Sequence, residues 1–180
     1  NRLMLGQHPA QKRLILEELL AHQLSLHKLR AQVQADQAPA VISKHALRNK
    51  LLAALPFKPT NAQQRVTAEI TADLENPYPM LRLVQGDVGS GKTLVAALAA
   101  CDLLEAGYQV ALMAPTEILA EQHLQNLTGW FEPLGVQVGW LAGKIKGKAR
   151  IQAQEAIADG SAQLVIGTHA LFQDDVHFSR

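Results

Sequence analysis

Leu16, Leu19, Leu20, Leu24, Leu26, Leu29 and Val33 recur at the spacing of one face of an α-helix. The pattern predicts one long helix over 9–34. Pro9 suits its first turn, where a missing N–H costs nothing. The polar stretch from Gln34 to Pro39 reads as a linker. A second helix is expected from Ser43, as its cap, to Ala54, with Leu47, Leu51 and Leu52 on one face. Pro56 and Pro59 mark its exit.

From residue 60 the pattern changes. Thr60 followed by Gln63 is a capping-box pair, which predicts a helix to about Leu74. Asn76-Pro77-Tyr78-Pro79 reads as a loop. Strands are then expected at 80–85, 109–114, 136–142 and 163–167. Helices are expected between them at 91–105, 117–131 and 147–158. Gly107 and Gly160 supply stops. Strands alternating with helices of this length imply βαβ units on a parallel sheet covered on both faces. The expected fold class is therefore α/β.

Charge divides the chain further. Residues 1–60 hold 9 Lys+Arg against 3 Asp+Glu, and residues 61–180 hold 8 against 13. The first third is a separate electrostatic unit, although the net charge is only +1. Hydrophobic residues make up 48% and charged residues 18%, which excludes intrinsic disorder. The longest apolar run, Leu94 to Cys101, is far short of the ~20 residues of a membrane span. No signal-peptide core opens the chain. One cysteine, Cys101, excludes an intramolecular disulfide and a Cys-based zinc site, and fits a reducing, intracellular setting.

The chemistry is concentrated in Gly86-Asp87-Val88-Gly89-Ser90-Gly91-Lys92-Thr93, a complete P-loop placed between an expected strand and an expected helix. Its glycines let backbone N–H groups wrap a phosphate, and the helix adds its positive end. Lys92 is expected to reach the β/γ-phosphates, and Thr93 to hold Mg²⁺ through its hydroxyl. The alternative is a ligand-free glycine turn. Gly89 and Gly91 do not form a dinucleotide fingerprint, because position 94 is Leu where a third Gly is required. Upstream, Phe57 offers a face for adenine to stack on, or a core plug. Gln63 offers an amide for the base edge, or only the third-position partner of the Thr60 cap.

Ligands in open parallel sheets sit beyond the carboxyl ends of strands. Thr116, after the second strand, offers a hydroxyl and helix N–H groups to a phosphate backbone; its plain reading is a helix cap, with Glu117 in the first turn. Thr168 and His169 end the fourth strand on the same side, and the plain reading of His169 is a loop or core histidine. Lys144, Lys146, Lys148 and Arg150 form a basic run at a helix start, where cations oppose the dipole. The run is either a solvated face or a footprint for nucleic acid.

These segments together resemble the superfamily-two helicases. Leu83 to Thr93 is similar to their motif I, Ala114 to His123 to motif Ia, and Gly167-Thr168-His169-Ala170-Leu171 to a later strand-end motif that touches DNA. Gly139 to Gly143 with the Lys-Gly-Lys run resembles the stretch between. The helical segment from His8 resembles the linker of the bacterial branch that remodels forked DNA. Ser90, Leu94 and that linker favour this branch over the related transcription-repair coupling motors. The resemblance implies a RecA-like P-loop domain over 57–180, with an incomplete parallel sheet, preceded by a helical linker over 1–56. It implies ATP and Mg²⁺ as cofactors, forked or Holliday-type DNA as partner, and a monomer of the bacterial cytoplasm acting in recombination and repair. It assigns the adenine to Gln63 and Phe57, and DNA backbone to Thr116, Thr168, Lys144, Lys146 and Lys148.

The family's Asp-Glu motif is not reached by Arg180, and Asp174-Asp175 follows no apolar strand. The resemblance thus implies an internal stretch without the wedge domain or the second motor domain. Such a stretch is expected to bind nucleotide and barely hydrolyse it. A P-loop kinase would ignore DNA, and a structural nucleotide-binding module would bind ATP without turning it over.

Overall fold

Helices form where local signals are strongest. The computed structural model describes residues 8–179; residues 1–7 of the expected linker and the side chains of Arg30, Val33 and Gln34 lie outside the described residues. Helix α1 spans Pro9–Ala35. It starts at the proline, with the Lys12 N–H donating to the His8 carbonyl. Its Leu16, Leu19, Leu20 and Leu24 are exposed. The described chain up to Ala40 forms one compact unit with Asn76–Leu83, within which the Ala38 N–H donates to the Pro77 carbonyl at 3.1 Å.

The second unit comprises Val41–Glu75 and the chain from Val84 on. It therefore takes in residues 41–56, which sequence pattern assigns to the linker. The reason is burial: Leu51 of helix α2 (Ala46–Ala54) is fully buried in the main core. Helix α2 begins later than its expected Ser43 cap. The Ser43 hydroxyl instead accepts from the His45 N–H at 2.9 Å, and His45 turns left-handed at φ 59°. The first N–H groups are taken by Glu105, whose carboxylate accepts from Lys44 and Leu47 at 3.1 Å each.

Helix α3 (Asn61–Leu74) carries the full Thr60–Gln63 capping box. Helix α4 (Lys92–Glu105) follows the P-loop. It ends at Gly107 (φ 84°), with Gly107 N–H on the Leu104 carbonyl and Tyr108 N–H on the Leu103 carbonyl. That is the paired-bond stop that glycine permits. Strand β1 (Val110–Met113), helix α5 (Glu117–Phe131), strand β2 (Val138–Leu141), helix α6 (Gly147–Ala158) and strand β3 (Leu164–Gly167) complete the alternation. Short 3₁₀ turns at Glu132–Leu134 and His169–Phe172 were not expected from pattern.

The expected strand at 80–85 does not form. Leu83 is 88% exposed and the segment joins no ladder. Strand character depends on a neighbour to pair with more than on β-branched content, and this segment pairs with none of the described strands.

The sheet is parallel throughout, in the order β1-β3-β2. Every residue of β3 is buried. Its alternation divides the core in two: Leu164 and Ile166 join α2, α4 and α5 on one face, and Val165 joins Ile157 and Leu171 on the other. Gly167 ends β3 against β2 so closely that a Cβ there would collide with the Leu141 carbonyl. Cys101 lies in the main core, and burial pushes its thiol up to about 12, so it is inert.

Candidate functional site

The P-loop is shaped by two left-handed glycines, Gly89 (φ 80°) and Gly91 (φ 78°). They turn the chain so that the Ser90 N–H donates to the Asp87 carbonyl at 3.2 Å. Gly91 then becomes the cap of α4, and its carbonyl accepts from Leu94 at 3.0 Å. Lys92 folds back into the loop, where Nζ donates to the Gly86 carbonyl at 2.7 Å and the Asp87 carbonyl at 2.8 Å. The loop is thus wrapped around an ammonium group at a helix N-terminus, which is an anion site by charge and by dipole. Thr93 stands half-buried in the first turn, and Val88 is exposed at the loop tip.

A cavity of ≈ 400 Å³ opens beside the loop, lined by Gln63, Val84, Gly86, Asp87, Ser90 and Lys92 among others. That is the size of an ordinary small-molecule site. Gln63 occupies its wall with both ends of the amide engaged. Its Oε1 accepts from the Thr60 N–H at 2.8 Å, and its Nε2 donates to the Ser90 carbonyl at 2.9 Å. Gly91 is required by its left-handed φ of 78°, and a Cβ there would also displace the Gln63 amide from the Ser90 carbonyl. Gln63 is therefore a cap that also grips the P-loop, a contact that sequence spacing alone could not reveal. Phe57 is 48% exposed, so it plugs no core, and it is not among the residues lining the cavity.

Register places the other candidates. Met113 of β1 lies opposite Gly167 of β3, so Thr116 and Thr168 follow strands that end on one side of the sheet. Helix α4 crosses back between the P-loop and β1, which returns the loop to that side. Thr116 caps α5, its hydroxyl accepting from Leu119 at 3.3 Å. Thr168 is only 3% exposed, and its hydroxyl is buried without a hydrogen-bond partner; His169 beside it is exposed.

The basic run separates into two kinds. Lys144 is paired with Glu121 and Glu117 of α5, and its own N–H donates to Glu117 at 3.2 Å. The hydrogen bond to Glu121 and the two negative charges raise its pKa. Arg150 is held by Asp175 at 2.9 Å and Gln173 at 2.8 Å. The same contact, with help from Gln154, holds the Asp175 carboxyl below its usual range. Lys146 and Lys148 are exposed at the start of α6.

Sequence reasoning missed a buried charged cluster around Asp102, described below. The signal was present: an ionisable residue directly follows the longest apolar run. Among the described residues no group of three or more His, Cys, Asp or Glu could hold a metal ion, and no helix is long and apolar enough to cross a membrane.

Comparison with known proteins gives the family and the fold. The DEAD/DEAH box helicase family profile matches residues 60–180. The chain is 66% identical over 174 residues to the ATP-dependent DNA helicase RecG of Escherichia coli O157:H7, covering 97% of this chain and 25% of that protein. It is 46% identical over 171 residues to the ATP-dependent DNA helicase RecG of Bacillus subtilis (strain 168), covering 94% and 25%. A solved structure of RecG bound to a three-way DNA junction superposes with a TM-score of 0.86 at 40% identity, over 96% of this chain and 25% of that one. The chain thus spans about a quarter of the length of the relatives it matches.

Proposed function

Because this chain belongs to the DEAD/DEAH box helicase family, we propose that it forms the nucleotide-binding front of an ATP-driven motor that remodels branched DNA. The observation that carries the reading is the P-loop wrapped on Lys92 beside a ≈ 400 Å³ cavity. Lys92 exchanges its two carbonyl acceptors for phosphate oxygens, which are stronger partners for an ammonium. The N–H groups of the loop and of the first turn of α4 complete the cradle. The residues fit Mg²⁺ held between phosphate and protein: the Thr93 hydroxyl, in the first turn after the loop, is the oxygen that would hold it. When bound, the ion supplies neutralising charge to the phosphates. The remaining N–H and lone pair of Gln63 serve the adenine edge, and Phe57 its face.

On the DNA side, Thr116, Thr168, Lys146 and Lys148 lie about the strand-end surface. Thr116 offers the helix N-terminus that it caps, and the two lysines offer free cations. Thr168 contributes from beneath, by shaping the Gly167–His169 turn. Lys144 acts through the α5 carboxylates. The linker ends near Ala40, residues 41–56 belong with the motor domain into whose core Leu51 packs, and the protein is a monomer of the bacterial cytoplasm.

The test is ATP turnover by the intact protein with and without a three-way DNA junction. Stimulation by the junction, absent with duplex of equal length, is the expected result. Turnover indifferent to any DNA would assign the P-loop to a phosphotransferase.

A further inference from the structure

Asp102 lies on α4 at the end remote from Lys92, and it is 1% exposed. Arg48 of α2 forms an ion pair with its Oδ2, and the Thr71 hydroxyl of α3 shares its one proton between the Thr67 carbonyl at 3.0 Å and the same Asp102 oxygen at 3.3 Å. His45 Nδ1 lies 3.0 Å from Oδ1. Arg48 also donates to the Thr71 hydroxyl at 2.6 Å. Its side chain is 13% exposed, and its Nε is buried with no hydrogen-bond partner. One turn beyond Asp102, Glu105 holds the first N–H groups of α2.

Stability alone does not account for this cluster. Taking a carboxylate and a guanidinium out of water is costly, and well-packed apolar replacements are often as stable. The best attested use of such groups is to set register. Helix α4 buries Leu94, Val95, Leu98 and Leu104 along with Ala97, Ala100 and Cys101, which holds it in the core, and the Asp102 contacts add directional bonds to α2 and α3 that apolar packing does not supply. Helix α3 meets the P-loop segment at both ends. Gln63, in its first turn, donates to the Ser90 carbonyl at 2.9 Å. Thr71, two turns on, reaches Asp102.

We infer that Asp102, held by Arg48 and Thr71, is the pin that sets the axial position of the P-loop helix and is thereby a positioning residue of the nucleotide site. The inference rests on the ATP role proposed above. Without the pin, α4 keeps its core contacts but shifts, and Lys92 and Thr93 no longer stand in step with Gln63 and Ser90.

The test variant is Arg48→Met with Asp102→Leu, in the intact protein. It removes both buried charges together and is expected to melt at or above the wild-type temperature. Affinities for Mg-ADP and for AMP are then measured by calorimetry. Only ADP carries the phosphate that Lys92 and Thr93 reach, so a merely structural role would leave the ADP-to-AMP affinity ratio alone. The pin predicts a fall of about tenfold in that ratio, equivalent to ~1.4 kcal/mol. A folded double variant with the wild-type ratio overturns the inference. If the double variant does not fold, Thr71→Val decides. It removes the hydroxyl shared by Asp102 and Arg48, and should lower the ratio by about threefold, the scale of one ordinary hydrogen bond; an unchanged ratio overturns the pin. A wild-type protein that binds neither nucleotide overturns the ATP reading itself, and the pin with it.

Discussion

Replacing Lys92 with Ala removes an ammonium that donates to two carbonyls, at 2.7 Å and 2.8 Å. Gly86 and Asp87 are exposed, so water takes over both acceptors and the fold should lose less than about 0.5 kcal/mol. Nucleotide binding should lose more. A unit charge pair at ~4 Å is worth ~4 kcal/mol at the effective dielectric of ~20 found near protein surfaces, which bounds the effect from above. Against it stand the two carbonyl bonds that Lys92 gives up on turning to phosphate, each worth about 0.5–1.5 kcal/mol net. The balance is about 2 kcal/mol, or ~30-fold in Kd. Calorimetric titration of wild type and Lys92→Ala with Mg-ADP measures it. A parallel titration with adenosine should show no change, since adenosine has no phosphate for the lysine to meet. An ADP affinity within twofold of wild type would refute the assignment of Lys92. An equal loss for adenosine would mean that the loop itself had collapsed.

Two further outcomes follow from the charges. Burial works against the charge on Glu105, but the N–H groups of Leu47, Lys44 and Ala46 and the Ser43 hydroxyl outweigh it and hold the carboxyl below its ordinary 4.5. A depressed carboxyl stabilises the fold above its unfolded pKa and ceases to do so as pH falls through the folded one. The stability difference between wild type and Glu105→Gln should therefore be level from pH 7 down to about 4.5 and shrink below it; denaturant melts that show a constant difference to pH 3, measured at several points, would remove Glu105 as the cap of α2. On the DNA side, Lys146→Ala with Lys148→Ala should lower the salt slope of junction binding by about 2, near 0.9 per phosphate contact, whereas Lys144→Ala should leave it unchanged because Glu117 and Glu121 already hold that charge. A slope that responds only to Lys144 would reverse the assignment.

What could be read from sequence was what neighbours in the chain decide. Pro9, the Thr60–Gln63 box and Gly107 act over a few residues, and each stands where its pattern implies. The P-loop is equally local, a loop whose glycines and lysine are consecutive. Failures begin where the deciding partner is distant. Ser43 looks like a cap, but Glu105, some sixty positions away, supplies the acceptor. The stretch at 80–85 has strand composition and no strand beside it. Thr168 looks like a surface hydroxyl, yet the close packing of Gly167 on Leu141 draws it inside. Lys144 belongs to a basic run in sequence and to an acidic helix in space.

The order of the strands also has a consequence for synthesis. Among the described residues β1 and β2 do not pair with each other, and each pairs with β3, which is the last of the three to leave the ribosome. Until Leu164–Gly167 emerges there is no sheet to join. At ~5–20 residues per second, the growing chain carries two unpaired strands for seconds. During that interval α4 and α5 can bury their leucines against each other, but no ladder can form. Insertion of the buried strand β3 between β1 and β2 is then the event that joins them, and until it occurs both carry unpaired backbone that can template aggregation.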